Sequence, residues 1–328
     1  MRLRLATYNI ESFGGDSQPI PLAARVANLR PKLEALDADV LCLQEVNAER
    51  RSKHGPRELG ALDALLSGTR YATYERVTTH RDGGGPFDVH NLVVVSRFPV
   101  EASAQHLHDG VRPIESEIVR GMAPAERLAI GWDRPALEAA LSLPDGRTLH
   151  VFDVHLRAPI AAAIAGQKLS GSSWRSTQGW AEGFFAAAVK RAGQALEVRL
   201  RIDRLFDDDP CALVILAGDL NADPSESAPR ILSADEADTG SASLASRRLL
   251  PLLDVVPEAR RFTSRYRGRA CQPDHVLGSP RIAEGLVSAT IANDDVEDGW
   301  DVGLASRPVE GSLHAPAVVE IDLGATTP

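Results

Sequence analysis

The stretch ILAGDLNADP, residues 215–224, holds the residues best suited to chemistry. An apolar run ends in Asp219, Asn221 follows two places on, and Pro224 closes the turn. A carboxylate and an amide at i and i+2 address one point when the backbone bends at a strand's end. The acid can then orient water or bind a metal while the amide holds an oxyanion. An Asx turn after a strand is the plain structural alternative. Glu45 closes a second apolar run, LCLQEV, and is a ligand candidate for a hard cation wherever other oxygens converge on it. Asn9 in TYNIESF, His155 in DVHLRAP and the adjacent Asp274 and His275 in QPDHVLGS stand in the same style of position. On a strand, Asp274 and His275 point to opposite faces. His314 in GSLHAP comes last, beside the apolar Leu313. For any one of these histidines alone, a satisfied structural role is the simpler reading.

Residues so placed need strands to carry them. Runs at 3–10, 39–46, 71–77, 91–96, 136–144, 149–156 and 212–218 read as strands, with further ones at 260–266, 273–277, 286–291 and 316–323. The segment 136–156 reads as a hairpin turned at PDGR. Helical spacing runs over 21–37 through Leu22, Val26, Leu29, Leu33 and Leu36, where Pro31 predicts a kink or a division into two pieces. A second helix over 180–206 would turn Phe185, Val189, Ala192, Leu196 and Leu200 to one side. The stretches 109–126, 157–179 and 233–247 read as loops. With no internal repeat or linker, the pattern predicts one α/β domain over residues 1–328, sheets packed on each other and helices outside.

Composition narrows the classes. A formal charge of −9 over 328 residues does not suit a general polyanion binder. Cys42, Cys211 and Cys271 form no close pair, and the first two lie in or beside runs that read as buried strands, which fits a reducing compartment. The N-terminus shows no signal-like apolar segment, and no run reaches the roughly 20 residues of a membrane span. A cytoplasmic protein is therefore expected. Oligomeric state is not readable. One local exception to the acidic balance is RRFTSRYRGRA, 260–270, where five arginines interleave with Phe262 and Tyr266. Arg265 and Arg267 there suit phosphate clamping beside base stacking, or form a solvated hairpin. His106 and His108 in QHLHDG read as an exposed polar strand end rather than a zinc pair. DGGGP, 82–86, lacks the continuation of a P-loop, and no GxSxG is present.

Taken in order, the strand ends carrying Asn9, Glu45, His155, Asp219 with Asn221, Asp274 and His314 resemble the endonuclease/exonuclease/phosphatase superfamily. ATYNIESFGG, ADVLCLQEV, NLVVVSRFPV, DVHLRAP, LAGDLNADP and PDHVLGS are similar to its successive blocks, from residue 3 to residue 323. The resemblance implies a four-layered α/β sandwich, two packed and mostly antiparallel sheets flanked by helices. It implies that Glu45 and Asn9 hold a divalent cation, Mg²⁺ or Mn²⁺, and that Asp219 orients or deprotonates the attacking water. Asn221 would hold a phosphate oxygen, His155 would stabilise phosphoryl charge, and Asp274 would orient His314. Arg134 stands where relatives keep a phosphate-contacting arginine. The substrate class so implied is a phosphodiester, nucleic acid or small, cut by in-line attack of water. A phosphomonoesterase on a small metabolite and a binding protein with impaired turnover are the alternatives. The family has an aspartate where this chain has Leu313, so one cation suffices, or Glu11, Asp301 or Glu310 stands in, or activity is reduced.

Overall fold

A computed structural model describes residues 1–17, 19–50, 52, 55–118, 126–171, 173–304 and 308–324. Two six-stranded sheets face each other. The first runs, in spatial order, Leu286–Ile291, Ala317–Asp322, Arg2–Phe13, Val40–Val46, Asn91–Ser96 and Glu75–Thr78. The second runs Leu250–Pro251, Asp274–Gly278, Leu213–Asp219, Thr148–His155, Ala136–Ser142 and Val100–His106.

Each sheet has one parallel pair at its centre, Arg2–Phe13 with Val40–Val46 and Thr148–His155 with Leu213–Asp219; the other neighbours are antiparallel. A parallel pair needs a long return connection. Here each return carries a helix, Leu22–Leu36 in the first and Thr177–Asp208 in the second.

Alternation along the strands makes the layers. Leu3, Leu5, Cys42, Val94, Ala139, Val151, Ile215, Ala217, Val276 and Val319 point inward and close the core between the sheets. Outward-facing Tyr8, Ile10, Leu41 and Leu43 meet Leu29 and Leu33 of the first helix. Phe152, Val154, Val214 and Leu216 meet Val198, Ile202 and Leu205 of the second. Helix, sheet, sheet, helix is the four-layered sandwich expected.

Several local expectations need correction. The helix Leu22–Leu36 is one piece through Pro31, because Pro31 and Ala27 are both exposed and water can serve the carbonyl that proline leaves unbonded. The helix Thr177–Asp208, capped by Ser176 on the Gly179 amide, buries Ala195, Val198, Ile202 and Leu205; Phe185 and Leu196 are exposed. Arg191 and Arg199 lie on the buried side because carbonyl and carboxylate partners wait for them there. The 71–77 run splits into a 3₁₀ turn, Arg70–Thr73, and the strand Glu75–Thr78.

Strands also occur within and beyond the stretch read as a loop at 109–126, where Ile114–Ile118 pairs with Glu126–Ile130; residues 119–125 lie outside the described residues. The stretch 233–247 holds the short helices Glu236–Thr239 and Ala242–Arg247. At 260–266 only Ser264–Tyr266 is strand, and it pairs with Arg269–Cys271. Cys211 is exposed, one residue outside the apolar run that begins at Ala212. His106 is buried on Glu138 and Asp109, and His108 is tied to the Val111 and Trp132 carbonyls, so neither is an exposed strand end. Among the described residues no helix is long and apolar enough to cross a membrane.

Candidate active site

Strand register sets three site residues side by side. His155 faces Asp219 across the parallel pair, and Asp219 faces Asp274 across the antiparallel one. All three side chains are buried. The backbone can make this row because residue 218 is glycine. Its φ is +138°, and a Cβ there would stand 2.1 Å from the Val154 carbonyl oxygen.

The other sheet supplies the facing wall. Asn9 Nδ2 donates to Asp219 Oδ2 at 3.0 Å and to Glu45 Oε1 at 3.3 Å, joining the two sheets through one amide. Glu45 sits at a register break, with φ +62°, where pairing between the two parallel strands shifts after Asn9. Its Oε2 accepts from the Ser12 amide at 2.9 Å and the Ser12 hydroxyl at 3.0 Å. Glu11, Ser12, Glu45, His90 and Asn221 all have positive φ, and such backbone strain clusters where a site over-determines its geometry.

Asp219 is the hub. Its Oδ1 accepts from the Asn221 amide at 2.8 Å and its Oδ2 from Asn221 Nδ2 at 3.2 Å, so the Asx-turn geometry is present within the site itself. His155 Nε2 and His314 Nε2 stand 3.5 and 4.0 Å from Oδ2. Burial and the Asp274 charge raise the Asp219 carboxyl to about 7, against the pull of His314 and the Asn221 amide.

Asp274 holds His314. Its Oδ2 accepts from His314 Nδ1 at 2.7 Å and from the Thr263 hydroxyl at 2.5 Å. Burial disfavours a charged imidazole, but Asp274, Asp219 and Glu11 outweigh it and raise His314 to about 10. His275 points away, to the Ala222 carbonyl, as alternation on a strand requires.

His155 is different. Burial and the Arg134 charge hold it well below the usual histidine range, so it is neutral at pH 7. Arg134 Nη1 lies 3.0 and 3.3 Å from the two His155 ring nitrogens. The long helix fixes that arginine, since Gln194 Nε2 donates to the Arg134 carbonyl. Two histidines that flank the same Asp219 oxygen are thus pushed in opposite directions by their surroundings.

Position 313 is filled in an unexpected way. The Leu313 Cδ1 lies against Gly299 of the helix Gly299–Leu304, 3.5 Å from where a Cβ on that glycine would stand. The Leu313 amide donates to Glu11 Oε2 at 3.4 Å, which sets a half-buried carboxylate at this point of the chain. Arg25 ties the same two segments, donating to the Ile10, Glu11 and Gly311 carbonyls. Asp301 and Glu310 are exposed.

Arg265 and Arg267 stand apart from the carboxylate cluster. Arg265 stacks on the buried Phe262 at 4.3 Å from its centroid, and Arg267 on Trp300 at 3.9 Å. They belong to the hairpin that follows Thr263, so they border the site through Asp274. Trp300, against which Tyr266 packs edge-on, was not singled out in the sequence. Neither were Ser12, Arg25, Thr263 and His90. His90 directly precedes a strand, and the strand-end rule that picks out Glu45 and Asp219 extends naturally to it.

A four-layered α/β sandwich with an acid–imidazole cluster spanning the same end of both sheets defines the class. The endonuclease/exonuclease/phosphatase family profile matches residues 6–300, and the chain belongs to that family, whose members are generally phosphoester hydrolases. Among solved structures, an endonuclease/exonuclease/phosphatase from Beutenbergia cavernae is 18% identical, with TM-score 0.56 over 98% of this chain and 72% of that one. An AP endonuclease from Archaeoglobus fulgidus is 15% identical, with TM-score 0.54 over 98% and 99%. The human nocturnin catalytic domain, with bound sulfate, is 15% identical, with TM-score 0.58 over 98% and 94%. At these identities the likeness is one of fold. Curated proteins offer no significant match to the chain.

The family commonly uses divalent metals, and the residues present fit one. Burial would raise the Glu45 carboxyl, but the imidazoles of His155, His90 and His314, charged at low pH, and the Asn9 amide overcome it and bring it to about 2, so Glu45 is already anionic at pH 7, where His155 is neutral. His90 Nδ1, 3.8 Å from Glu45, is buried without a hydrogen-bond partner. An ionised carboxylate beside an orphaned donor atom suits a cation.

Proposed function

We propose that the protein is a divalent-metal-dependent phosphoester hydrolase of phosphodiesterase or nuclease-like type, acting by in-line attack of water. The observation that carries this reading is the convergence on Asp219, a buried carboxyl that accepts from Asn9 of the facing sheet and from Asn221, stands 3.5 and 4.0 Å from the His155 and His314 ring nitrogens, and is raised by burial to about 7. A base poised near the working pH takes a proton from water most effectively.

Glu45, with Asn9 beside it, would hold Mg²⁺ or Mn²⁺. A cation bound there would polarise a phosphoryl oxygen and offset its charge. The chain's own residues do the rest. Asp219 orients the water and accepts its proton. Asn221 donates to a phosphate oxygen, which requires its amide to turn from the Leu156 carbonyl that it meets at 3.0 Å. His314, kept cationic by Asp274, neutralises charge on the phosphoryl group. His155, neutral with Arg134 at its ring, is a second donor once substrate arrives, and Arg134 contacts phosphate. Glu11 supplies the carboxylate at the place where Leu313 cannot.

Hydrolysis of bis-p-nitrophenyl phosphate, p-nitrophenyl phosphate and plasmid DNA, titrated with Mg²⁺ and Mn²⁺, tests the reading. Diester cleavage that depends on the metal and is lost in Asp219→Asn and His314→Ala supports it. Cleavage of the monoester alone makes the protein a phosphomonoesterase. No metal-dependent release from any of the three leaves a binding protein.

A further inference from the structure

Above the Glu45 carboxylate stands a histidine that the proposed mechanism does not use. His90 immediately precedes the strand Asn91–Ser96 with φ +59°, and its amide donates to Asn47 Oδ1 at 2.9 Å. A residue with a Cβ in left-handed backbone carries a cost of about 1–3 kcal/mol and persists only where its surroundings hold it. Here the conformation aims the ring at the site. His90 Nδ1 lies 3.8 Å from Glu45 Oε2, and the ring meets that of His155 edge-on, with centroids 5.7 Å apart.

At 3.8 Å the contact with Glu45 is too long for a hydrogen bond. The nitrogen is nonetheless buried and unpartnered, which is expensive unless something else occupies its lone pair. Glu45 Oε1 is 3.6 Å from His155 Nε2, and one donor atom from each of Glu45, His90 and His155 falls within 4.8 Å of the others. Donors bonded at about 2.1 Å to one tetrahedral ion are about 3.4 Å apart, so a small contraction closes the set.

The chemistry of that set is specific. Mg²⁺ and Ca²⁺ take oxygen ligands, imidazole suits Zn²⁺ and its neighbours, and a mixed nitrogen–oxygen site binds first-row divalent ions more tightly from Mn²⁺ through Co²⁺. We propose that His90 is a metal ligand, and that Glu45, His90 and His155 form a two-nitrogen, one-oxygen site selecting a first-row transition-metal ion over Mg²⁺. The inference rests on the reading that Glu45 holds a divalent cation, and it gives His155 Nε2 to the ion in place of the phosphoryl contact assigned to it above. Arg134 lies within 3.3 Å of both His155 ring nitrogens and competes with the ion, so it must swing away as the site fills.

The test uses the full chain stripped of metal and titrated calorimetrically with MnCl₂ and MgCl₂, with pulsed EPR on the Mn²⁺-loaded protein. Wild type should bind Mn²⁺ at least 100-fold more tightly than Mg²⁺ and show ¹⁴N modulation from directly bound imidazole. His90→Asn suits the comparison because asparagine tolerates positive φ. It should lower the Mn²⁺-to-Mg²⁺ affinity ratio tenfold or more and weaken the nitrogen modulation. Arg134→Gln, which removes the competing charge, should tighten Mn²⁺ binding. Absence of nitrogen modulation in wild type, or an unchanged affinity ratio in folded His90→Asn, overturns the assignment. Mg²⁺-supported diester cleavage alongside either result leaves the hydrolase reading standing. Nitrogen coupling that weakens in His90→Asn, in a protein that cleaves nothing, supports the His90 assignment and removes the hydrolase.

Discussion

Asn9 and Asp219 are 210 residues apart and on different sheets, yet one amide hydrogen bond of 3.0 Å joins them inside the core end of the sandwich. That bond makes the site a property of the sheet packing rather than of either strand. Removing the Asn9 amide leaves Asp219 with one donor fewer and Glu45 without its link to the other sheet. Asn9→Ala is expected to lower kcat on bis-p-nitrophenyl phosphate by about 10²-fold, in the range typical of losing one preorganised donor. A parallel loss of affinity for the metal, read by calorimetry, would show that both partners of the amide matter.

Asp219→Asn separates activity from stability. In the metal-free protein the carboxyl is raised from 3.8 to about 7, so the folded state binds the proton more tightly than the unfolded chain does. That contribution is complete below about pH 4 and disappears as pH rises through about 7. Asparagine removes the ionisable group. The variant should match wild type in urea denaturation at pH 4 and exceed it at pH 8 by on the order of a few kcal/mol. Hydrolysis should fall by about 10³-fold or more.

The His314–Asp274 pair has the same sign as Asp219 in the stability profile, but over a more alkaline window. His314 is raised from 6.5 to about 10, so the pair stabilises the fold fully below pH 6.5 and loses that effect as pH climbs through 10. Asp274→Asn takes away the main charge holding the imidazole protonated. The alkaline limb of kcat/KM should then move toward neutral pH, and the His314 ring signals in NMR should titrate at lower pH than in wild type.

Substrate size can be read from salt dependence. Arg265 and Arg267 border the site on aromatic supports. If plasmid DNA lies across this hairpin, Arg265→Gln with Arg267→Gln should weaken binding and reduce the slope of log K against log salt by about 1 to 2. An unchanged slope assigns the site to a small phosphodiester.

Gly218 is a packing prediction. A side chain there meets the Val154 carbonyl at 2.1 Å and demands positive φ. Gly218→Ala should destabilise by about 3 kcal/mol or more in urea denaturation, because neither the strand pair nor the turn into Asp219 can move aside.

Much of this was legible in the sequence because strand chemistry is local. Apolar runs that end in Glu45, His155 or Asp219 mark strand ends, and period-two alternation puts Asp274 and His275 on opposite faces before any coordinates exist. The pairing of Asp274 with His314 followed from the family resemblance alone. Helix faces were less legible: Arg191 and Arg199 of the long helix are buried because distant carbonyl and acidic groups satisfy them. Hydropathy treats such residues as solvated. The hairpin from Ile114 was missed because its strands, Ile114–Ile118 and Glu126–Ile130, are short and carry no apolar run longer than three residues.

By itself the sequence determined which residues stand at strand ends, and so which groups were available to a common site, since side-chain alternation and apolar run length are written residue by residue. Only the tertiary structure decided their electrical states and their neighbours. Whether a histidine is neutral like His155 or cationic like His314 depends on burial and on charges brought from other strands. That Glu11 stands at Leu313, and His90 over Glu45, depends on backbone turns with positive φ that no run of hydropathy announces.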